Sequence, residues 1–210
     1  MTDHYHVLLD CKQTYTNKLI KAIRPCISSI IHKLYDEAKM KIIETKQHQL
    51  ILKYFQDNLK TIKDWDNNTL TKEVSKICEV NKMSWLDELI RAIFIANHKI
   101  INIIHDSTID SKDNIDININ IPNTKLFIHT IYINISRELW KNPYLKYDGY
   151  TNSTILKKNQ SDFDDLIINL VNETIELFLP VQHTLNTLTN HLEKKKNKTK
   201  KNNKRKRNTT

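Results

Sequence analysis

Nine histidines and three cysteines are the side chains of this 210-residue chain best suited to metal or nucleophilic chemistry. Their spacing decides how far that chemistry goes. His4, His6 and Cys11 lie close together and offer the nitrogen and sulfur donors that zinc takes. Closed zinc sites use recognisable paired spacings, so two exposed imidazoles on an N-terminal end are the simpler reading. His98 and His105 share one face of a helix if the segment is helical, but no H-E-x-x-H accompanies them. Of the cysteines, Cys26 and Cys78 fall near apolar helical stripes, where a free thiol packs as a small core residue. No base is legible beside either one. Asp106, Thr108 and Asp110 open like a calcium loop, yet Ser111 stands where the loop needs glycine and Ile117 where it needs a bidentate glutamate. No metal and no cofactor is expected.

The chain has a single glycine, Gly149. That excludes the glycine-rich dinucleotide loop, the P-loop, the nucleophile elbow and the kinase glycine loop, whose backbones cannot close around a ligand without glycine. Cysteine usage, odd in number and without a C-x-x-C pair, argues for a reducing compartment rather than a disulfide framework. No signal-peptide pattern opens the chain, and Ile93–Ile104, its most apolar run, is far short of the roughly 20 residues that span a bilayer.

The sequence pI is 9.3, but the excess charge is confined to one end. Lys194, Lys195, Lys196, Lys198, Lys200, Lys201, Lys204, Arg205, Lys206 and Arg207 carry it with no acid among them. Removing those ten from the 33 basic residues leaves 23 against 24 acids in residues 1–193, a net charge of −1. The pI therefore says nothing about a nucleic-acid-binding body. Residues 194–210 have no apolar side chain to bury and are expected to be a disordered tail. Three roles fit such a tail: solubility, a salt-dependent arm for DNA or RNA, and a nuclear address.

Between the two ends the periodicity is helical. Leu19, Ile23, Ile27, Ile31, Leu34 and Ala38 form one stripe, with Pro25 expected to kink or break the helix near Arg24. A second stripe runs from Leu50 to Ile62 and ends at the turn-rich Asp64–Asn68; a short helix through Leu70, Val74 and Ile77 follows. Ser84 is expected to open the next helix, whose broad apolar face from Leu86 to Ile104 is the strongest core candidate. Residues 115–121 alternate strictly and predict one short extended or β segment, stopped by Pro122. Phe127, Ile128, Ile131, Tyr132, Ile135 and Leu139 return to helical spacing; Trp140 is expected to extend that face and Asn142-Pro143 to close the helix. Residues 144–161 read as a long loop, Ser161 and its aspartates as a cap for a helix through Ile175, and Pro180 as the start of a last short helix.

Phe127–Ile133 followed by Arg137–Leu145, together with Trp85–Phe94, Tyr15–Leu19 and Leu179-Pro180-Val181, resembles an uncharacterised family of nucleocytoplasmic large DNA viruses, mimivirus-like giant viruses among them. The likeness runs through most of residues 10–192 and omits the tail; Lys146 stands where the family pattern has phenylalanine. It implies a viral setting, which agrees with a composition dominated by residues of A/T-rich codons, and it carries no catalytic residues. Within it, Arg137, Glu138, Trp140 and Tyr144 combine a charged pair with two aromatics beside a helix stop. They read either as a surface ion pair with a pinned helix end or as an exposed docking patch, since Trp, Tyr and Arg anchor interfaces.

The reading is a mainly α protein: one helical-bundle-like domain of six to seven helices over residues 1–193, then the basic tail at 194–210. The expected function is non-enzymatic, by binding to other viral proteins in a virion or viral factory, with the tail contacting nucleic acid. The rival is an enzyme with a dispersed carboxylate or histidine site.

Overall fold

The computed structural model describes residues 2–45, 50–108 and 121–179, and within them every regular element is helical. Six α-helices are present: α1 Thr2–Thr45, α2 Ile51–Lys60, α3 Asn67–Val80, α4 Leu86–Thr108, α5 Thr124–Lys141 and α6 Ser153–Phe178. Short 3-10 turns follow α2 at Thr61–Asp64 and α5 at Pro143–Lys146. No strand occurs among the described residues. The alternating segment 115–121 falls outside them except for Ile121, which is half-buried against the core in irregular backbone. The expected helix after Pro180 and the tail 194–210 also fall outside the described residues.

At 44 residues α1 is about 66 Å long and serves as the spine. Its stripe buries Leu19, Ile23, Ile27, Ile31, Tyr35 and Ala38. Pro25 does not break it: the helix is continuous through that position, and the ring faces solvent. The missing N–H still disturbs the preceding turn, and the Ala22 carbonyl there receives the Asn81 side-chain amide at 2.9 Å.

The chain returns along this spine in three pieces. Helix α2 lies on its C-terminal half, where the Phe55 ring meets Tyr35 edge-on at 5.3 Å and the buried Asn58 amide donates to the Leu34 carbonyl at 2.8 Å. Helix α3 follows, capped by Asp66, whose carboxylate accepts from Thr69 N at 2.7 Å. It ends in a reversal at Lys82, φ 49°, closed by bonds from Lys82 N to Glu79 O and from Met83 N to Cys78 O. Helix α4 then starts beside Lys18, whose Nζ stands 5.9 Å from the Trp85 ring. Its first main-chain bond runs from Leu89 N to the Trp85 carbonyl, so Trp85 occupies the cap position and Ser84 lies one residue outside it.

Helices α5 and α6 complete the bundle. Phe94 of α4, Phe127 of α5 and Phe178 of α6 form a three-ring cluster with centroid separations of 5.6, 6.4 and 5.8 Å. Edge-to-face pairs of this kind contribute about 0.5–1.5 kcal/mol each beyond their burial. The six residues of the α5 stripe are all buried, and Lys141 ends the helix as Asn142-Pro143 requires. Helix α6 begins at Ser153, not near Ser161, because Asn152 caps it through Thr154 N at 2.9 Å. The sequence hid these first two turns: Ile155 is 40% exposed and the residue that faces inward, Asn159, is polar. That amide is satisfied by the Tyr144 carbonyl at 3.2 Å.

Candidate functional site

Helix α5 has two faces that matter. One is the buried stripe. The other follows Ile133, Ser136, Arg137 and Trp140, spaced i, i+3, i+4 and i+7, and therefore lies along one side of the helix. Trp140 does not extend the core stripe; it sits one step of about 100° beyond Leu139 and is 43% exposed. Leu59, Lys60 and Lys63 of α2 and its 3-10 turn form one wall beside this second face. Leu170, Glu173 and Leu177 of α6, at i, i+3 and i+7, form the other. Together they enclose an open groove of about 710 Å³ with α5 as its floor.

The groove pairs an apolar strip with a cationic rim. Leu177 is 67% exposed at its edge, although its heptad partner Leu170 is buried. Lys60 lies 5.7 Å from the Trp140 ring and also bonds Asp57 at 2.9 Å; Lys141 is neutralised by Glu138 at 2.6 Å. Lys63 and Arg137 pair with no acid among the described residues. Gln56 donates to the Trp140 carbonyl at 2.6 Å, tying the end of α5 to α2. Asn134 donates to the buried Thr174 hydroxyl at 2.9 Å, tying α5 to α6 beneath the groove. The walls are therefore fixed before any ligand arrives.

Of the residues singled out from sequence, Arg137, Glu138 and Trp140 do come together here. Tyr144 does not line the groove: it is 45% exposed in the turn after α5. The ten tail cations lie outside the described residues. Cys26 is buried, and that burial pushes its thiol up, with Lys76 opposing and Glu73 adding to the shift. Cys78 is likewise raised by burial. Neither is a poised thiolate. Cys11 is half-exposed and His6 exposed on α1; His98 is half-buried on α4, and the side chains of His4 and His105 lie outside the described set. Among the described residues no three His, Cys, Asp or Glu side chains are placed to hold a metal, and no helix is long and apolar enough to cross a membrane.

Sequence reasoning missed Lys60, Lys63, Glu173 and Leu177 as members of one site. The available signal was the second i, i+3, i+4, i+7 row on α5; the walls come from segments far away in sequence and carry no local mark.

Two further polar clusters are structural. Tyr35 donates to Asp148 at 2.9 Å and Lys39 pairs with the same carboxylate, which fastens the segment after α5 to the spine. Tyr132 reaches Glu73 at 3.3 Å beneath Trp65, and burial above all pushes its phenol far up, so it stays neutral.

Residues 5–147 match the model of a family described as a family of unknown function (DUF5764). The matched stretch runs from α1 through the 3-10 turn after α5; α6, which supplies one groove wall, follows it. No curated protein and no solved structure matches the chain.

Proposed function

Since the chain belongs to this family of unknown function, DUF5764, no activity is inherited, and we propose from the site alone that it is a non-enzymatic binding protein that docks a partner protein in the α2–α5–α6 groove. The observation that carries this reading is the pairing of a half-exposed Trp140 on the floor with an unpacked Leu177 on one wall of a preformed, cation-rimmed groove. A monomer gains nothing by leaving both in water, whereas aromatic and arginine anchors ringed by polar residues are how interfaces concentrate binding energy.

The giant-virus resemblance supplies the proposed setting: other viral proteins as partners, in a virion or a host-cell viral factory. In that setting the tail from Lys194 onward contacts nucleic acid without sequence preference, or directs nuclear import. The test places a photo-activatable cross-linking residue at Leu177, and in a second protein at the equally exposed Met40 on α1. A protein adduct at Leu177 that is absent at Met40, and that disappears when Trp140→Ala is added, is the expected result. Equal adducts at both positions would remove the groove from the account. Exchanging the tail cations for glutamine in the full chain tests the tail: salt-sensitive DNA or RNA affinity should fall.

A further inference from the structure

Resting on the docking reading of the groove, we infer that its occupant is an acidic amphipathic α-helix, about two turns of it, presented by a partner protein. Three observations select it. First, the rim charge is unbalanced: Lys63 and Arg137 have no acid partner among the described residues, and Glu173 is the one rim acid besides the paired Glu138. An occupant that meets both cations needs carboxylates along its flanks. Second, the groove is lined by two helical rows with apolar residues at their ends and polar ones between. Ile133 to Trp140 on the floor and Leu170 to Leu177 on the wall each span seven residues of helix, about 10 Å, which accommodates one row of side chains at i, i+3 or i+4, and i+7.

Third, all three elements around the groove are helical, so their interior main-chain donors and acceptors are already paired. An extended peptide laid there would lose water from its own N–H and C=O groups and find no ladder to replace it. A helix arrives with those groups satisfied. A nucleic acid would meet the cations, but its phosphates would leave the exposed Leu177 facing nothing apolar.

The test is selection from a displayed library of random peptides against the full chain, followed by binding and circular dichroism on the enriched sequences. The expected peptides carry an apolar row at helical spacing flanked by Asp or Glu, and they gain helical signal on binding. They should bind equally well when the tail cations are exchanged for glutamine. They should weaken at least about tenfold with Trp140→Ala, with Arg137→Glu and with Leu177→Asp, the last being exposed enough to leave folding intact. Groove-dependent peptides that lack acids, or that bind without becoming helical, would overturn this inference and leave the docking reading standing. Peptides indifferent to all three substitutions, or oligonucleotides that compete for the same groove residues, would end both.

Discussion

Lys60 of α2 stands over the face of Trp140 at the end of α5, its Nζ 5.7 Å from the ring centroid. The contact lies at the surface, where a cation–π pair contributes about 0.5–1 kcal/mol. The link between the two helices does not depend on the ring, because Gln56 holds the Trp140 main-chain carbonyl. Trp140→Ala is therefore expected to cost about 1 kcal/mol or less in urea unfolding while removing the groove's aromatic anchor. A loss of several kcal/mol would mean that Trp140 is a packing residue and not a docking one.

Lys82 closes α3 with a positive φ of 49°, and the bonds from Lys82 N to Glu79 O and Met83 N to Cys78 O form the reversal in which glycine is the usual residue. A lysine there bears the crowding of its Cβ. Lys82→Gly should raise stability by about 0.5–1 kcal/mol, after the greater flexibility of glycine in the unfolded chain is set against the relief. Thermal unfolding of the two proteins at one pH decides the sign.

Pro25 interrupts the main-chain bonding of an otherwise unbroken α1, and its ring is exposed, so replacing it opens no cavity. Pro25→Ala restores the donor and is expected to stabilise the fold by about 1–3 kcal/mol. The urea midpoint should rise with an unchanged slope. A fall would show that the packing of α2 and α3 on the spine requires the bend that proline imposes.

Asp148 links the segment after α5 to α1. Burial raises its carboxyl, but hydrogen bonds from Lys39 and Tyr35 outweigh that and hold it below the usual range. A carboxyl lowered in the folded state stabilises fully above its unfolded value of about 3.9, and that contribution is lost as pH falls through the folded value. Asp148→Asn should therefore be less stable than the natural chain near neutrality, the two converging in acid. Parallel unfolding curves down to low pH, with a constant gap between the proteins, would contradict this. The side chain is 53% exposed, so solvent screening keeps the effect modest.

Much of this fold was legible from periodicity. The six apolar residues from Phe127 to Leu139 that the sequence assigned to the α5 stripe are buried, while Trp140, expected to extend it, is exposed; 3.6-residue spacing is imposed by the backbone wherever a helix has one wet and one dry side. The errors fall where local pattern and tertiary context part. Pro25 reads as a kink or a break in isolation, yet the helix is continuous through it because a long apolar stripe buries on both sides. The first turns of α6 lack an apolar row, since their inward residue is an asparagine whose partner, the Tyr144 carbonyl, comes from the preceding turn.

By itself, then, the amino-acid order determined the helical class, most of the core, the exclusion of glycine-dependent phosphate sites and the segregation of charge into residues 194–207. These are properties of composition and short-range spacing. The groove is different. Trp140 stood in the sequence both as an extension of the buried face and as a member of an exposed patch; the packing of α5 against α2 and α6 leaves it half-exposed, and Lys63 and Leu177 line the same groove only through that packing. Residues more than a hundred positions apart share a site because helices bury their stripes first, and what remains on their flanks is whatever surface that packing brings together.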